Sequence, residues 1–186
     1  MDTRSAILEH AERAARQKGH NGFSFGHIAR DVGIRKASMF HHFPTKPDLL
    51  VAVFARYSQR FYGWFDGMDQ SKANGATRLA AYLAETRATI EDGESICLSI
   101  ALCVDRDALN EQLIDDVKEF QARNMIWLTE AFARGQVDGS VSGISDPESE
   151  AMACLAQVDG AIVMSRLHKD TSYFDRALAQ LRLRLS

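Results

Sequence analysis

The chain has 186 residues, 46% hydrophobic and 25% charged, which suits one large or two small globular domains with room for a sizeable core. Its three cysteines, Cys97, Cys103 and Cys154, are an odd number without a CxxC pair, which argues against both a disulfide framework and a zinc site. No stretch approaches the roughly 18 apolar residues of a membrane span, and the start MDTRSAILEH lacks the cationic and apolar blocks of a signal peptide, so a cytoplasmic protein is expected.

The net charge of −3 conceals an asymmetry. Residues 1–46 carry eight Lys/Arg against four Asp/Glu, while the remaining 140 residues carry fourteen against twenty-one. The chain is therefore a head of +4 on a body of −7, and five of its six histidines lie in the head. That distribution implies a phosphate-facing module joined to one that does not bind nucleic acid.

Ile7, Leu8, Ala11, Ala14 and Ala15 recur at helical spacing and predict a first helix over Thr3 to Lys18, ended by Gly19-His20-Asn21-Gly22. The following segment, FGHIARDVGIRKASMFHHFPTKPDLL from Phe25 to Leu50, reads as two short helices joined by a glycine turn and followed by a third helix. Ile28, Ala29 and Val32 form a core face, Gly33 supplies the positive φ of a sharp turn, and Arg35, Lys36, Ser38, His41 and His42 project from the second helix. Thr45 caps the next helix, Pro47 sits in its first turn and Asp48 closes a capping box, leaving amides and a positive dipole for a DNA phosphate beside Lys46. This pattern implies a helix-turn-helix reader of DNA. The candidate DNA-facing set is Gly26, His27, Arg35, Lys36, Ala37, Ser38, Phe40, His41, His42, Thr45 and Lys46.

In Ile28-Ala29, the Gly33 turn, the short helix after it, His42-Phe43 and Lys46, residues 3–50 resemble the TetR/AcrR family of one-component transcriptional regulators. Beyond them only the helical layout and a closing helix pair are similar. Two positions depart from the family pattern: Arg35 stands where a small hydroxyl residue usually caps the recognition helix, and Phe40 where a tyrosine usually reaches DNA. The side-chain cap is expected to be lost, and Phe40 to pack or to touch a thymine methyl.

Leu49, Leu50, Val53, Phe54, Tyr57, Phe61, Trp64, Phe65 and Met68 predict a long fourth helix leading from the DNA-facing residues into the rest of the chain, a natural lever. Helical patterns continue over Ala76 to Glu91, Ser95 to Val104 and Leu109 to Arg134, with breaks near Gly75, Asp92-Gly93, Asp105 to Asp107 and Gly135 to Gly143. Asp146-Pro147-Glu148 marks a further helix start with the apolar row Met152, Leu155, Val158, Ile162, Val163 and Leu167. A last helix carries Phe174, Ala177, Leu178, Leu181 and Leu185. An all-α protein is expected, with a helix-turn-helix domain over 1–46 and a helical domain over 47–186.

The closing pair is expected to meet its copy in a second chain through Leu155, Val158, Ile162, Leu178 and Leu181, with Ala156, Gly160 and Ala161 allowing close approach. The resemblance implies a small, largely apolar effector between the helices of the second domain. Phe61, Phe65, Tyr82, Phe120, Trp127 and Leu128 are candidates to line such a cavity, although each alone is more simply a core residue. Asn124, Gln157 and Asp159 interrupt apolar faces; the first two are candidates to orient a ligand, and Asp159 equally to pair with Arg166 or another subunit.

Cys97 and Cys103 lie six apart, about 240° around a helix, and do not share a face. No phosphate loop, dinucleotide fingerprint, HExxH or nucleophile elbow is present, so neither an enzyme nor a cofactor is expected. The reading is a homodimeric, effector-released repressor that sets two recognition helices in successive major grooves, roughly 34–36 Å apart, on a palindromic double-stranded operator. The rivals are a small-molecule enzyme keeping the motif for packing alone, and a DNA-binding protein regulated by a protein partner or by cysteine modification.

Overall fold

The computed structural model describes residues 2–90 and 93–186. In chain order its helices are α1 (Thr3–Lys18), α2 (Phe25–Val32), α3 (Lys36–His42), α4 (Lys46–Gln70), α5 (Gly75–Thr89), α6 (Leu98–Val104), α7 (Glu111–Asp138), α8 (Pro147–His168), α9 (Ser172–Ala177) and α10 (Ala179–Arg182). Short 3₁₀ turns occupy His20–Gly22 and Arg106–Ala108. Among the described residues there is no strand, and Val141 and Leu185 form an isolated bridge. No described helix is long and apolar enough to cross a membrane. The expected ends at Glu91 and Asp92 lie outside the described residues.

By packing, the chain forms two compact units. One comprises the residues up to Phe61 together with Leu98–Phe120, the other Tyr62–Cys97 with Gln121–Ser186. Packing thus groups the chain otherwise than a cut after residue 46, because α6 lies against α1 and the first part of α7 shares a ring cluster with α4.

In the first unit, Asp2 caps α1 by accepting from the Ser5 amide at 2.8 Å. Helix α1 buries Ile7, Leu8, Ala11 and Ala15, and Glu12 on the same face. Burying a carboxylate is costly unless its lone pairs are answered, and Arg60 of α4 answers Glu12 with two parallel bonds of 2.9 and 2.6 Å. Leu49, Leu50, Val53, Phe54 and Tyr57 of α4 and Leu98, Ala101 and Leu102 of α6 complete this core.

In the second unit, Phe65, Leu79, Tyr82, Leu83, Trp127, Leu128, Phe132, Val158, Ile162 and Phe174 form the core. Helix α7 runs through Gly135 to Asp138, where a break is expected from the sequence. The reason is tertiary: a Cβ on Gly75 would lie 2.2 Å from the Gly135 amide nitrogen, so α5 starts against the bare backbone of α7. Asp138 then caps the newcomer, accepting from the Gly75 amide at 3.0 Å, while Ser140 Oγ accepts from Ala76 at 3.0 Å. Asp146 caps α8 as its sequence implies, accepting from Ser149 at 3.0 Å. The expected last helix is instead divided at Leu178 into α9 and α10.

Candidate DNA-reading surface

Ser24 starts α2, its hydroxyl accepting from the His27 amide at 3.3 Å. Gly33 stops it at φ +78°, a left-handed backbone that costs glycine little, and the Ile34 amide reaches back to Ala29 at 2.9 Å. Helix α3 follows with Arg35 before its first turn and no side-chain cap, as the departure at that position implies. Of its seven residues only Met39 is buried. Arg35, Lys36, Ala37, Phe40 and His41 are exposed, Ser38 and His42 half-buried, and at the start of α2 His27 is exposed and Gly26 half-buried. Phe40 is 51% exposed and leans on the Phe25 ring at 5.1 Å, so it is anchored at one edge and open at the other.

Thr45 and Asp48 form the expected capping box at the start of α4, with 3.0 Å from the Thr45 amide to Asp48 and 3.3 Å from the Asp48 amide to Thr45 Oγ1. Lys46 differs from the outward, phosphate-facing group that its position in the sequence suggests. Its ammonium donates to the carbonyl of His20 and, at 2.7 Å, to that of Phe23, and lies 4.4 Å above the Phe23 ring. Burial lowers its pKa, and the charge of Asp105 pushes back upward.

The candidate effector residues are divided between the two units. Phe61 and Phe120 belong to a ring cluster of the first unit with Phe54 and Tyr57, at centroid separations of 5.3 to 6.1 Å. Phe65, Tyr82 and Trp127 stack together in the second unit, where Trp127 is only 4% exposed. Asn124 is buried there and accepts from the Tyr82 hydroxyl at 3.4 Å, Leu128 is fully buried, and Gln157 is exposed and donates to the Ala177 carbonyl at 3.0 Å.

Two adjoining clefts open beside this stack. One of about 510 Å³ is lined by Asp69, Arg78, Glu130, Ala133, Arg134, Val137 and Asp138. The other, about 250 Å³, is lined by Tyr62, Phe65, Asp66, Asp69, Arg123, Ile126, Trp127 and Glu130. Arg78 was not legible as a site residue: it is 3% exposed, pairs with Asp69 and lies 4.7 Å from the Trp127 ring. A charged residue in the first turns of a helix ordinarily reads as solvated surface.

Four of the five residues expected at a dimer seam are consumed inside the single chain. Val158, Ile162, Leu178 and Leu181 are buried where α8 packs on α9 and its sequel, and Leu155 is half-buried. The large apolar residues that α8 leaves exposed are Met152, Val163, Met164 and Leu167, and Ala153, Ala156 and Gly160 are exposed as well. Cys97 is half-buried, Cys103 exposed and Cys154 buried, its thiol pushed up to about 12 by loss of hydration. Among the described residues no group of three His, Cys, Asp or Glu side chains could hold a metal ion.

Residues 7–53 match the bacterial regulatory proteins of the tetR family, and residues 75–181 match the tetracyclin repressor-like C-terminal domain. The chain belongs to the TetR family. As a TetR-family member it is a DNA-binding transcriptional regulator of all-α fold, with an N-terminal helix-turn-helix and a larger helical domain. It is 22% identical to the HTH-type transcriptional repressor NemR of Escherichia coli over 97% of this chain and 92% of that one. A TetR-family regulator from Agrobacterium tumefaciens superposes with a TM-score of 0.91 at 26% identity, over 99% of this chain and 97% of its own. AibR, solved with isovaleryl coenzyme A and operator DNA, superposes at 0.73 with 23% identity, over 97% and 98%.

Proposed function

We propose that the chain is a homodimeric repressor that binds a palindromic operator in the cytoplasm and is released by a small effector, with no catalytic activity of its own. The observation that carries the DNA-reading part is α3, which buries Met39 alone and leaves Arg35, Lys36, Ala37, Ser38, Phe40 and His41 for a major groove. Gly26, His27, His42 and Thr45 flank it and suit the phosphates on either side, with Lys46 joining them when its ammonium leaves the turn carbonyls. In function the chain divides at residue 46, the part before it reading DNA and the part after it responding to the effector and pairing with a second copy.

The effector reading rests on AibR, which holds a small molecule as well as DNA, and on the two clefts beside Phe65 and Trp127. Their carboxylates and guanidinium groups favour a ligand with polar groups over the largely apolar one expected from the sequence. The second copy is best placed on the outer stripe of α8: Met152, Ala156, Gly160, Val163 and Leu167, spaced four, four, three and four residues along one face.

Selection of bound duplexes from a random library tests the whole reading. A palindrome with half-sites one helical turn apart is the expected product; no enrichment would end the reading as a DNA-binding repressor. On the selected operator, Lys36→Ala is expected to cost about 1–3 kcal/mol and to relax preference at one base pair. Uniform weakening over operator variants would move Lys36 to the backbone. Native mass spectrometry of purified protein is expected to show a dimer carrying bound small molecule.

A further inference from the structure

The turn between α1 and α2 is held by two charged side chains from elsewhere in the first unit. Asp105, just past α6, accepts from the His20 amide at 2.9 Å. Lys46, at the start of α4, donates to the carbonyls of His20 and Phe23, one at each end of the same turn. His20 thus has its backbone N–H taken by a carboxylate and its backbone C=O taken by an ammonium. The two charges share His20 as a partner, and α6, which Asp105 follows, packs against α1.

We infer that Asp105 is a positioning residue that competes with DNA phosphate for Lys46. Lys46 begins a helix whose amides and dipole already favour an anion, so its ammonium has two partners to choose between: the turn carbonyls beside Asp105, or a phosphate laid against the helix start. The carboxylate favours the first. Burial penalises the ammonium where it sits, and Asp105 offsets that penalty. With that negative charge removed, the carbonyls remain but the counter-charge does not, and phosphate wins more readily. The inference rests on the DNA-reading surface proposed above.

Asp105→Asn is the test, because the amide oxygen still accepts from His20 while the charge is gone. Binding to a random-sequence duplex is expected to tighten several-fold at low salt, and the same substitution in a Lys46→Ala background is expected to leave affinity unchanged. A purely structural Asp105 would weaken binding in both backgrounds. A long-range charge effect would tighten both equally; either result overturns the inference. The second measurement is the rate at which an amine reagent labels Lys46 in DNA-free protein. Slow labelling relative to the exposed Lys36 and Lys72, accelerated by Asp105→Asn, is expected. Lys46 labelling as fast as Lys36 in the unsubstituted chain would overturn the inference even if Asp105→Asn fails to fold. Failure of the unsubstituted chain to bind any duplex would strike the DNA reading instead and leave the labelling result to decide on Asp105.

Discussion

Two ring clusters of similar size are built on opposite principles. Phe54, Tyr57, Phe61 and Phe120 meet edge to face or tilted, an arrangement held by ring quadrupoles and buried area. Phe65, Tyr82 and Trp127 stack more nearly parallel, with Trp64 tilted against Trp127, and polar groups are threaded among them. Asp69 accepts from the Trp127 indole at 3.2 Å while pairing with Arg78, Arg78 lies over that indole, and Asn124 takes the Tyr82 hydroxyl. The first cluster lies in the same unit as α1 and the helix-turn-helix, its Tyr57 ring beside the Arg60 guanidinium that pairs with Glu12 of α1. The second borders two clefts, and its polar wiring gives a ligand something to rearrange.

The largest expected effect belongs to the apolar cluster. Phe120→Ala should remove about 3–5 kcal/mol of stability, with DNA binding and melting temperature falling together. DNA affinity that collapses while the thermal transition stays put would mean that the ring acts on the reading surface directly, and the contrast would blur. Next comes Asp159, half-buried on α8, whose carboxyl burial raises to about 6. Its pKa is raised in the folded state, so the unfolded chain releases this proton first, and stability falls as pH rises from about 4 to about 6. Asp159→Asn is therefore expected to stabilise by at most about 3 kcal/mol at pH 7 and by almost nothing at pH 4, read from chemical denaturation at both values. A gain equal at the two pH values would remove the charge from the explanation.

A smaller loss is expected when the wiring itself is cut. Asp69→Asn leaves Arg78 buried without its counter-charge, and about 2 kcal/mol is expected because Asp69 is itself partly exposed. Pairing it with Arg78→Met should recover part of that loss, a coupling with no counterpart in the apolar cluster. Smallest is Tyr82→Phe, which deletes one long hydrogen bond to Asn124 for about 0.5–1.5 kcal/mol. If these two substitutions cost nothing but change the fluorescence response of Trp127 to bound small molecules, the second cluster is a binding device more than a core.

What the sequence made legible was local. The bounds of α1, the Gly33 stop, the uncapped start at Arg35, the Thr45 and Asp48 box and the Asp146 cap each depend on residues within four positions of one another. Where the controlling neighbour is distant, the pattern is silent or misleading. Gly135 reads as a helix breaker until Gly75 arrives against it. Lys46 reads as a free cation until the His20 and Phe23 carbonyls are placed beside it. Helix α8 is apolar on both its inner and outer stripes, so periodicity alone could not tell Val158 and Ile162, which face the chain's own core, from Val163 and Leu167, which do not. The same ambiguity holds for the effector candidates, since an aromatic residue shows the same spacing whether it fills a core or walls a cleft.

The contact between Gly75 and Gly135 also sets a rule for how this chain can vary. A methyl group at position 75 would meet backbone atoms at 2.2 and 2.3 Å, and one at position 135 would meet the Val141 side chain at 2.4 Å. Backbone cannot rotate aside as a side chain can, so position 75 admits no compensating change nearby, whereas position 135 is open to an alanine only if residue 141 becomes glycine, because the Val141 Cβ itself would lie 2.9 Å away. A saturation library should therefore be nearly empty at residue 75 and conditionally populated at residue 135.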